Sequence, residues 1–422
     1  MENNKNSAII PRSKLYRLYP GQSAEEIEKR LEMATEGFAR VYGKTGARLF
    51  SAPGRTELGG NHTDHQHGLV IAAAVGLDDV AAALPNGDGI IRIFSDAYGS
   101  ASIDPCNLLL RPDEAGTPAS LVRGVAEYLS RQGRGHIGGF DALISGLVPV
   151  GSGLSSSAAF ETLIACVING LFFEGEIPPE TLAHAGQYAE NTHFGKPCGL
   201  MDQMASAVGG IIEIDFENPD APHLERLSVD FSDFGYALCI IDTGTKHDGL
   251  GEEYAAIPAE MTKVARLFGE ERLRSVPPER FYAELPKIRS RASDRALLRA
   301  MHFFGENERV PSETAALKSG DFGRFLHLVR ESGKSSSMLL QNIYPGGSAH
   351  DQSAALALAW CERLLDGSGA CRIHGGGFGG TIQAFVPIST SDSFREGMER
   401  LTGAGSCRFL KIRDAGAVEI EA

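Results

Sequence analysis

The chain has 422 residues, enough to bury a large core and to divide into two domains. Its 42% hydrophobic and 22% charged residues are ordinary for a globular protein, and the net charge of -14 excludes an extended nucleic-acid surface, which needs a concentrated basic face. A small anionic ligand requires only a local positive pocket.

Seven cysteines, at 106, 166, 198, 239, 361, 371 and 407, lack short paired spacing, the usage of a reduced, cytoplasmic protein. The N-terminal M-E-N-N-K-N-S-A-I-I-P-R-S-K has no apolar core followed by a small-residue cleavage site. No apolar run nears the roughly 18 residues of a membrane span. The longest, Leu69 to Leu77, stops at Asp78-Asp79.

Ser23 and Glu26 have capping-box spacing, and Ile27, Leu31, Phe38 and Val41 follow at helical intervals until Gly43, which predicts a surface helix. Residues 46–51 read as a strand entering S-A-P-G-R-T-E-L-G-G-N-H-T-D-H-Q-H-G, a stretch dense in polar side chains, Arg55 and Glu57 among them. Alternation after Gly60 predicts an extended segment with His62 and Asp64 on one face and Asn61, His65 and His67 largely on the other. Histidines with an aspartate suit a transition metal, although no further Cys/His cluster follows nearby to close the coordination sphere. Asn, His and Asp equally suit the hydroxyls of a sugar, and a solvated polar loop is the plain alternative.

Buried strands are predicted at 69–77 and 90–94, and an amphipathic helix at 119–131 through Leu121, Val122, Val125 and Leu129. Phe140, Ala142, Ile144 and Leu147 to Val150 then form an apolar β run before V-P-V-G-S-G-L-S-S-S-A-A-F-E, residues 148–161. The almost uncharged helix Ala158 to Phe172 follows. Between strand and helix, Gly151 and Gly153 allow close backbone approach, and Ser155, Ser156 and Ser157 fall on the first helical turn. Free N–H groups and the helix dipole favour an anion there, and hydroxyls add a phosphate contact or a magnesium ligand. A Gly/Ser linker is the bland alternative. The stretch is not a Walker loop, since no Gly-Lys-Ser/Thr follows the glycines, and the positive charge must come from elsewhere.

A helix is predicted at 179–193, followed by F-G-K-P-C-G-L-M-D-Q-M-A-S-A-V-G-G. Glu190 lies near a helix end, and Asp202 stands in an apolar run, where a carboxylate needs a cation partner or a task. The simpler role for Asp202 is an N-cap for a helix from Gln203. Strands follow at 210–216 and 236–242, and E-N-P-D-A-P-H near 217 marks a division into domains 1–217 and 218–422. The second half carries helices around 252–268, 293–304, 321–332 and 351–366, with Phe322, Phe325, Leu326 and Val329 as a core stripe and Trp360 as packing.

In C-R-I-H-G-G-G-F-G-G-T-I-Q-A-F-V-P, residues 371–387, Gly375, Gly377 and Gly380 fit G-x-G-x-x-G. A dinucleotide fingerprint opens a helix early in a βαβ unit, whereas this one precedes a β-like T-I-Q-A-F-V. A tight glycine turn beside the phosphate loop fits better.

These stretches carry a resemblance to the GHMP kinase superfamily, and to galactokinases in particular. A-P-G-R-x-x-L-x-G-x-H-T-D resembles the galactokinase sugar motif, P-V-G-S-G-L-S-S-S-A the ATP loop, and G-G-G-F-G-G the third motif. P-C-G-L-M-D-Q is similar to the segment bearing the catalytic aspartate, and the similarity runs in order from about residue 37 to 387. It implies an α+β, two-domain fold, the first domain like ribosomal protein S5 domain 2 and the second ferredoxin-like, with the active site in the cleft between them. By the same resemblance Asp202 is the catalytic carboxylate and Arg55 the arginine beside it. Asn61, His62, Asp64, Gly199 and Tyr254, with Arg55 and Asp202, fall where galactokinases contact the sugar. Gly151, Ser152, Gly153, Leu154, Ser155, Ser156 and Ser157 would surround the phosphates of ATP, and Ser156 and Glu190 would hold Mg²⁺. The implied activity is phosphorylation of the C1 hydroxyl of galactose by a monomer or weak homo-oligomer, with neither nucleic acid nor membrane as partner.

The sequence departs from that pattern. Most galactokinases read R-V-N-L-I-G-E-H-T-D-Y where this chain reads R-T-E-L-G-G-N-H-T-D-H, so Asn61 replaces the glutamate that faces the C6 side of galactose. A neutral amide would also tolerate a C6 carboxylate, because two like charges about 4 Å apart repel by roughly 4 kcal/mol at a near-surface dielectric. A uronate kinase is therefore an alternative, as is a sugar sensor with little catalysis. T-P-A-S before the helix at 119 offers no tryptophan to stack on adenine.

Overall fold

The structure is a computed structural model describing residues 15, 18–133, 135–149, 151–244, 250–347 and 350–420. The reading of residues 1–14, and that of Val150, lie outside the described residues. Among the described residues, no helix is long and apolar enough to cross a membrane.

Helix α1 (Ala24–Tyr42) opens with the expected capping box, Ser23 and Glu26 each accepting from the other's backbone N–H. Its apolar stripe buries Ile27, Leu31 and Phe38, but Val41 is 48% exposed, and Tyr42 packs on the core in its place. Strands β1 (Arg48–Gly59) and β2 (Leu69–Pro85) form a long antiparallel pair, longer than the predicted 46–51 and 69–77. β2 continues through Asp78-Asp79 because Asp78 finds buried partners in Ser51 and Arg413.

Around this pair the first sheet adds β3 (Ile91–Ser95), β4 (Gly99–Ile103), β5 (Phe140–Gly146), β6 (Ile211–Asp215) and β7 (His223–Leu227). Its main path is β12-β1-β2-β5-β3-β4, where β12 (Val418–Ile420) returns from far along the chain, and β6 and β7 extend it beside the first half of β2. The first sheet thus takes in β7, past the expected division at 217, and also β12. Alternate residues of β2 serve two cores: Val80 and Ala82 pack with α1, while Ala81 and Ala83 face a helical layer. That layer is α2 (Pro118–Ser130), the apolar α3 (Ser156–Phe172), α4 (Pro179–Tyr188) and α5 (Met201–Val208).

The second sheet is antiparallel, in the order β11-β8-β10-β9, from β8 (Tyr236–Asp242), β9 (Ala370–Ile373), β10 (Thr381–Pro387) and β11 (Cys407–Leu410). Helices α10 (Ser353–Leu365) and α11 (Ser391–Thr402) cover one face, where Trp360 donates its indole N–H to Gly397. On the other face lie α8 (Asp294–Ser319) and α9 (Phe322–Ser335), whose Phe322, Phe325, Leu326 and Val329 are buried as predicted. Helix α8 runs well past the expected 304, with Pro311 inside it, and packs against α6 (Gly251–Leu267) and α7 (Pro278–Ile288). Leu58 and Ile71 of the first sheet share one apolar cluster with Ile240 and Phe385 of the second. This shared core fixes the sheets' relative position and the cleft above it.

Candidate active site

The loop after β5 behaves as the sequence requires. Gly151 and Gly153 have φ of 77° and 73°, values that favour glycine, and Gly153 is doubly constrained. A Cβ there would lie 2.3 Å from Thr381 Oγ1 and 3.0 Å from His374 Nδ1, which puts the glycine turn of 375–380 directly beside the phosphate loop. No helix follows that turn; it enters β10, as predicted.

Ser155 is the N-cap of α3 yet has left-handed angles, φ 56°, and its hydroxyl makes no capping bond. Instead it donates to Asp202 Oδ2 at 2.6 Å. The first N–H groups of a buried apolar helix are thereby left facing the cleft, the arrangement that holds an anion. Ser156 and Ser157 follow in the first turn, the Ser152 hydroxyl is spent on Pro149 O at 2.6 Å, and Leu154 is buried.

Asp202 lies within the first turn of α5, whose N-cap is Leu200, so the N-cap role is corrected. Its partner is Arg55, on β1, which donates Nε to Oδ1 and Nη2 to Oδ2, each at 2.6 Å, and Nη1 to Gly153 O at 2.5 Å. Burial raises the Asp202 carboxyl, but the Arg55 charge and hydrogen bonds and the Ser155 hydroxyl outweigh it, holding the group below its ordinary value. A carboxylate, a guanidinium and the open start of α3 thus meet at one point, with 28% of the Asp202 side chain still open to the cleft.

The predicted extended segment after Gly60 is instead a tight turn followed by a 3-10 turn at Asp64–Gln66, because His62 and His67 take left-handed φ of 59° and 62°. The turn is anchored by Thr63, donating to Leu69 O at 2.6 Å, and by Gln66, which accepts from Leu273 N at 3.1 Å. Asp64 meets Gly199 so closely that a Cβ on Gly199 would lie 1.6 Å from Asp64 Oδ2. Burial, then the Asp202 charge, raises the Asp64 carboxyl to about 6. His62 donates Nε2 to Gly376 O at 3.0 Å, and burial lowers its ring to about 4, so it is neutral. Tyr254 donates to Gly377 O at 3.0 Å. Asn61 differs from the other expected sugar contacts. It is fully buried, Nδ2 donating to Glu57 Oε1 at 3.1 Å and Gly375 O at 2.7 Å while Oδ1 accepts from Asn342 at 3.0 Å, so the protein uses both ends of its amide. Among the described residues, no group of three or more His, Cys, Asp or Glu is placed together as a metal-ligand set.

The helix predicted at 179–193 is present, but α4 ends at Tyr188 and its last turn, Ala189–Phe194, is a wider π-helix that holds Glu190 buried. Its oxygens accept from Lys196 Nζ and from Gln203 Nε2, each at 3.1 Å, and Gln203 also donates to Glu161 at 3.0 Å. Burial and then the Glu190 charge push the Glu161 carboxyl well above its ordinary range, and Glu161 Oε1 is buried without a partner. Glu161, Gln203 and Lys196 escaped the sequence reading. Lys196 was legible in F-G-K-P-C-G as the lysine between two singled-out acids; it pairs with Glu190, and its charge also helps hold the Asp202 carboxyl down.

An anion-holding helix start over a mixed sheet, joined to a second antiparallel sheet, is the architecture of the GHMP kinases. The profile described as GHMP kinases N terminal domain matches residues 120–210, and the galactokinase galactose-binding signature matches 36–85. Galactokinase from Homo sapiens is 31% identical over 93% of this chain and 97% of its own, and that of Streptomyces coelicolor 32% over 90% and 95%. The solved structure of Lactococcus lactis galactokinase complexed with galactose superposes with a TM-score of 0.80 at 25% identity, covering 92% of this chain and 99% of that one. The chain belongs to the galactokinase family. It is therefore a phosphotransferase with ATP as a substrate.

Proposed function

We infer that the chain transfers the γ-phosphoryl group of ATP to the C1 hydroxyl of galactose, giving galactose 1-phosphate and ADP. The single observation that carries the reading is the Arg55–Asp202–Ser155 cluster at the open start of α3. Phosphoryl transfer asks a protein mainly for in-line positioning and for neutralised oxygens. The N–H groups after Gly153 would hold the phosphates, with Ser156 and Ser157 adding hydroxyls. Asp202, kept ionised by Arg55, would accept the proton of the C1 hydroxyl or orient it. Asp64, Gly199, His62 and Tyr254 would bind the sugar, with Asn61 acting from behind the pocket.

Mg²⁺ fits the hard-oxygen chemistry of Ser156 and Glu190, and the buried Glu161 Oε1, joined to Glu190 through Gln203, is an oxygen still without a partner. When bound, the ion would neutralise phosphate oxygens; Glu190 and Ser156 would hold it. We propose a cytoplasmic monomer or weak homo-oligomer.

The test is Mg²⁺- and ATP-dependent phosphorylation of galactose, galacturonate, glucose and N-acetylgalactosamine. Galactose is expected to be the best substrate; a preference for galacturonate would move the reading to a uronate kinase. Absence of turnover with retained sugar binding would indicate a sensor.

A further inference from the structure

Behind the sugar loop lies a charged chain that none of the roles above uses. Arg372, on β9 and fully buried, places Nη2 2.9 Å from Glu57 Oε1 and 3.1 Å from the Glu57 carbonyl. Glu57, on β1 and 2% exposed, accepts from Asn61 Nδ2 at 3.1 and 3.3 Å. The same Nδ2 donates to Gly375 O, and Asn342, which holds Asn61 Oδ1, also donates to Gly376 O at 3.4 Å. Gly376 and Gly377 are the carbonyls that His62 and Tyr254 bond.

The orientation of Asn61 follows from these contacts. A flipped amide would set Oδ1 against the Glu57 carboxylate and the Gly375 carbonyl, acceptors facing an acceptor in a fully buried site. Glu57 and the Gly375 carbonyl therefore set which way Asn61 points, and Arg372, 2.9 Å from Glu57, opposes the rise that burial imposes on the Glu57 carboxyl without reversing it. Compared with R-V-N-L-I-G-E, the chain's R-T-E-L-G-G-N holds the same acid and amide in exchanged positions.

We infer that Arg372, Glu57 and Asn61 form a positioning relay that sets the glycine turn of 375–377 against His62 and Tyr254, and with it the sugar pocket. The inference rests on the kinase reading. It assigns a positioning role to Glu57 and Arg372 and moves Asn61 from sugar contact to adaptor.

Three variants test it: Glu57→Asn, Asn61→Glu, and the exchange Glu57→Asn/Asn61→Glu. Each single change is expected to raise the galactose KM about tenfold, the worth of roughly one charge-assisted hydrogen bond, with the ATP KM within about twofold. The exchange, which restores one acid and one amide, is expected to recover most of that loss. Additive effects, or a parallel rise in the ATP KM, would overturn the relay. Wild-type turnover reports on the kinase reading separately. Were there none, the relay would still be read from denaturant midpoints, where a double variant no more stable than the sum of its singles overturns it.

Discussion

Arg55 holds Asp202 by both carboxylate oxygens at 2.6 Å across 147 positions of sequence. The pairing favours the charged form of Asp202, and Ser155 adds a third donor to it. Since the Asp202 carboxyl is lowered, its stabilising contribution is present above the ordinary carboxylate value and is lost only as pH falls through the lower folded one.

Asp202→Asn keeps the shape and removes the charge. Turnover is expected to fall by about 10²- to 10⁴-fold, the usual worth of a positioned base, while the Kd for ATP stays within about threefold. Single-turnover kinetics beside ATP titration would check both, and near-wild-type turnover would remove Asp202 from the chemistry.

Asp64 behaves oppositely. Its carboxyl is raised to about 6, so its contribution to stability is complete below the ordinary value of 3.8 and is lost as pH rises through about 6. Ionised, it is the stronger acceptor for sugar hydroxyls, so the galactose KM is expected to fall severalfold as pH rises through that value. Asp64→Asn is expected to flatten this dependence. A KM profile between about pH 5 and 7, roughly one unit either side, decides it.

The space beside Asp64 Oδ2 exists because residue 199 has no side chain, a Cβ there falling 1.6 Å away. Gly199→Ala must displace the carboxylate, and the galactose KM is expected to rise about tenfold or more with the ATP KM unchanged. Gly251→Ala, with nothing within 4 Å of its Cβ, is the control expected to change neither.

Glu190→Gln keeps the hydrogen bonds of the π-type turn within reach while removing a charge. The Mg²⁺ concentration for half-maximal rate is expected to rise about 10- to 100-fold. Unchanged Mg²⁺ dependence would place the ion elsewhere.

Much of this was legible in residues. The capping box at Ser23 and Glu26, the glycines flanking Ser152, and the mismatch between G-x-G-x-x-G and a following β pattern all survive in the structure. The turn at 61–68 was not, because His62 and His67 adopt left-handed angles that residues other than glycine take only uncommonly. The destination of Asn61 was also hidden. Its partners Gly375 and Asn342 lie far along the chain, and periodicity reports faces, not partners. Strand β12 is three residues long, too short to show alternation.

That strand has a consequence for biosynthesis. Arg48 on β1 bonds Glu419 on β12, 371 positions later, so a ribosome releases the first strand long before its edge partner. Until Val418–Ile420 has emerged, the nascent sheet presents a bare edge open to wrong pairing, and closing so wide a loop is slow. Stalled chains ending before Val418 are thus expected to stay cleavable near β1 and to draw on chaperones. Protection arising earlier would show that the edge is shielded by something other than its native partner.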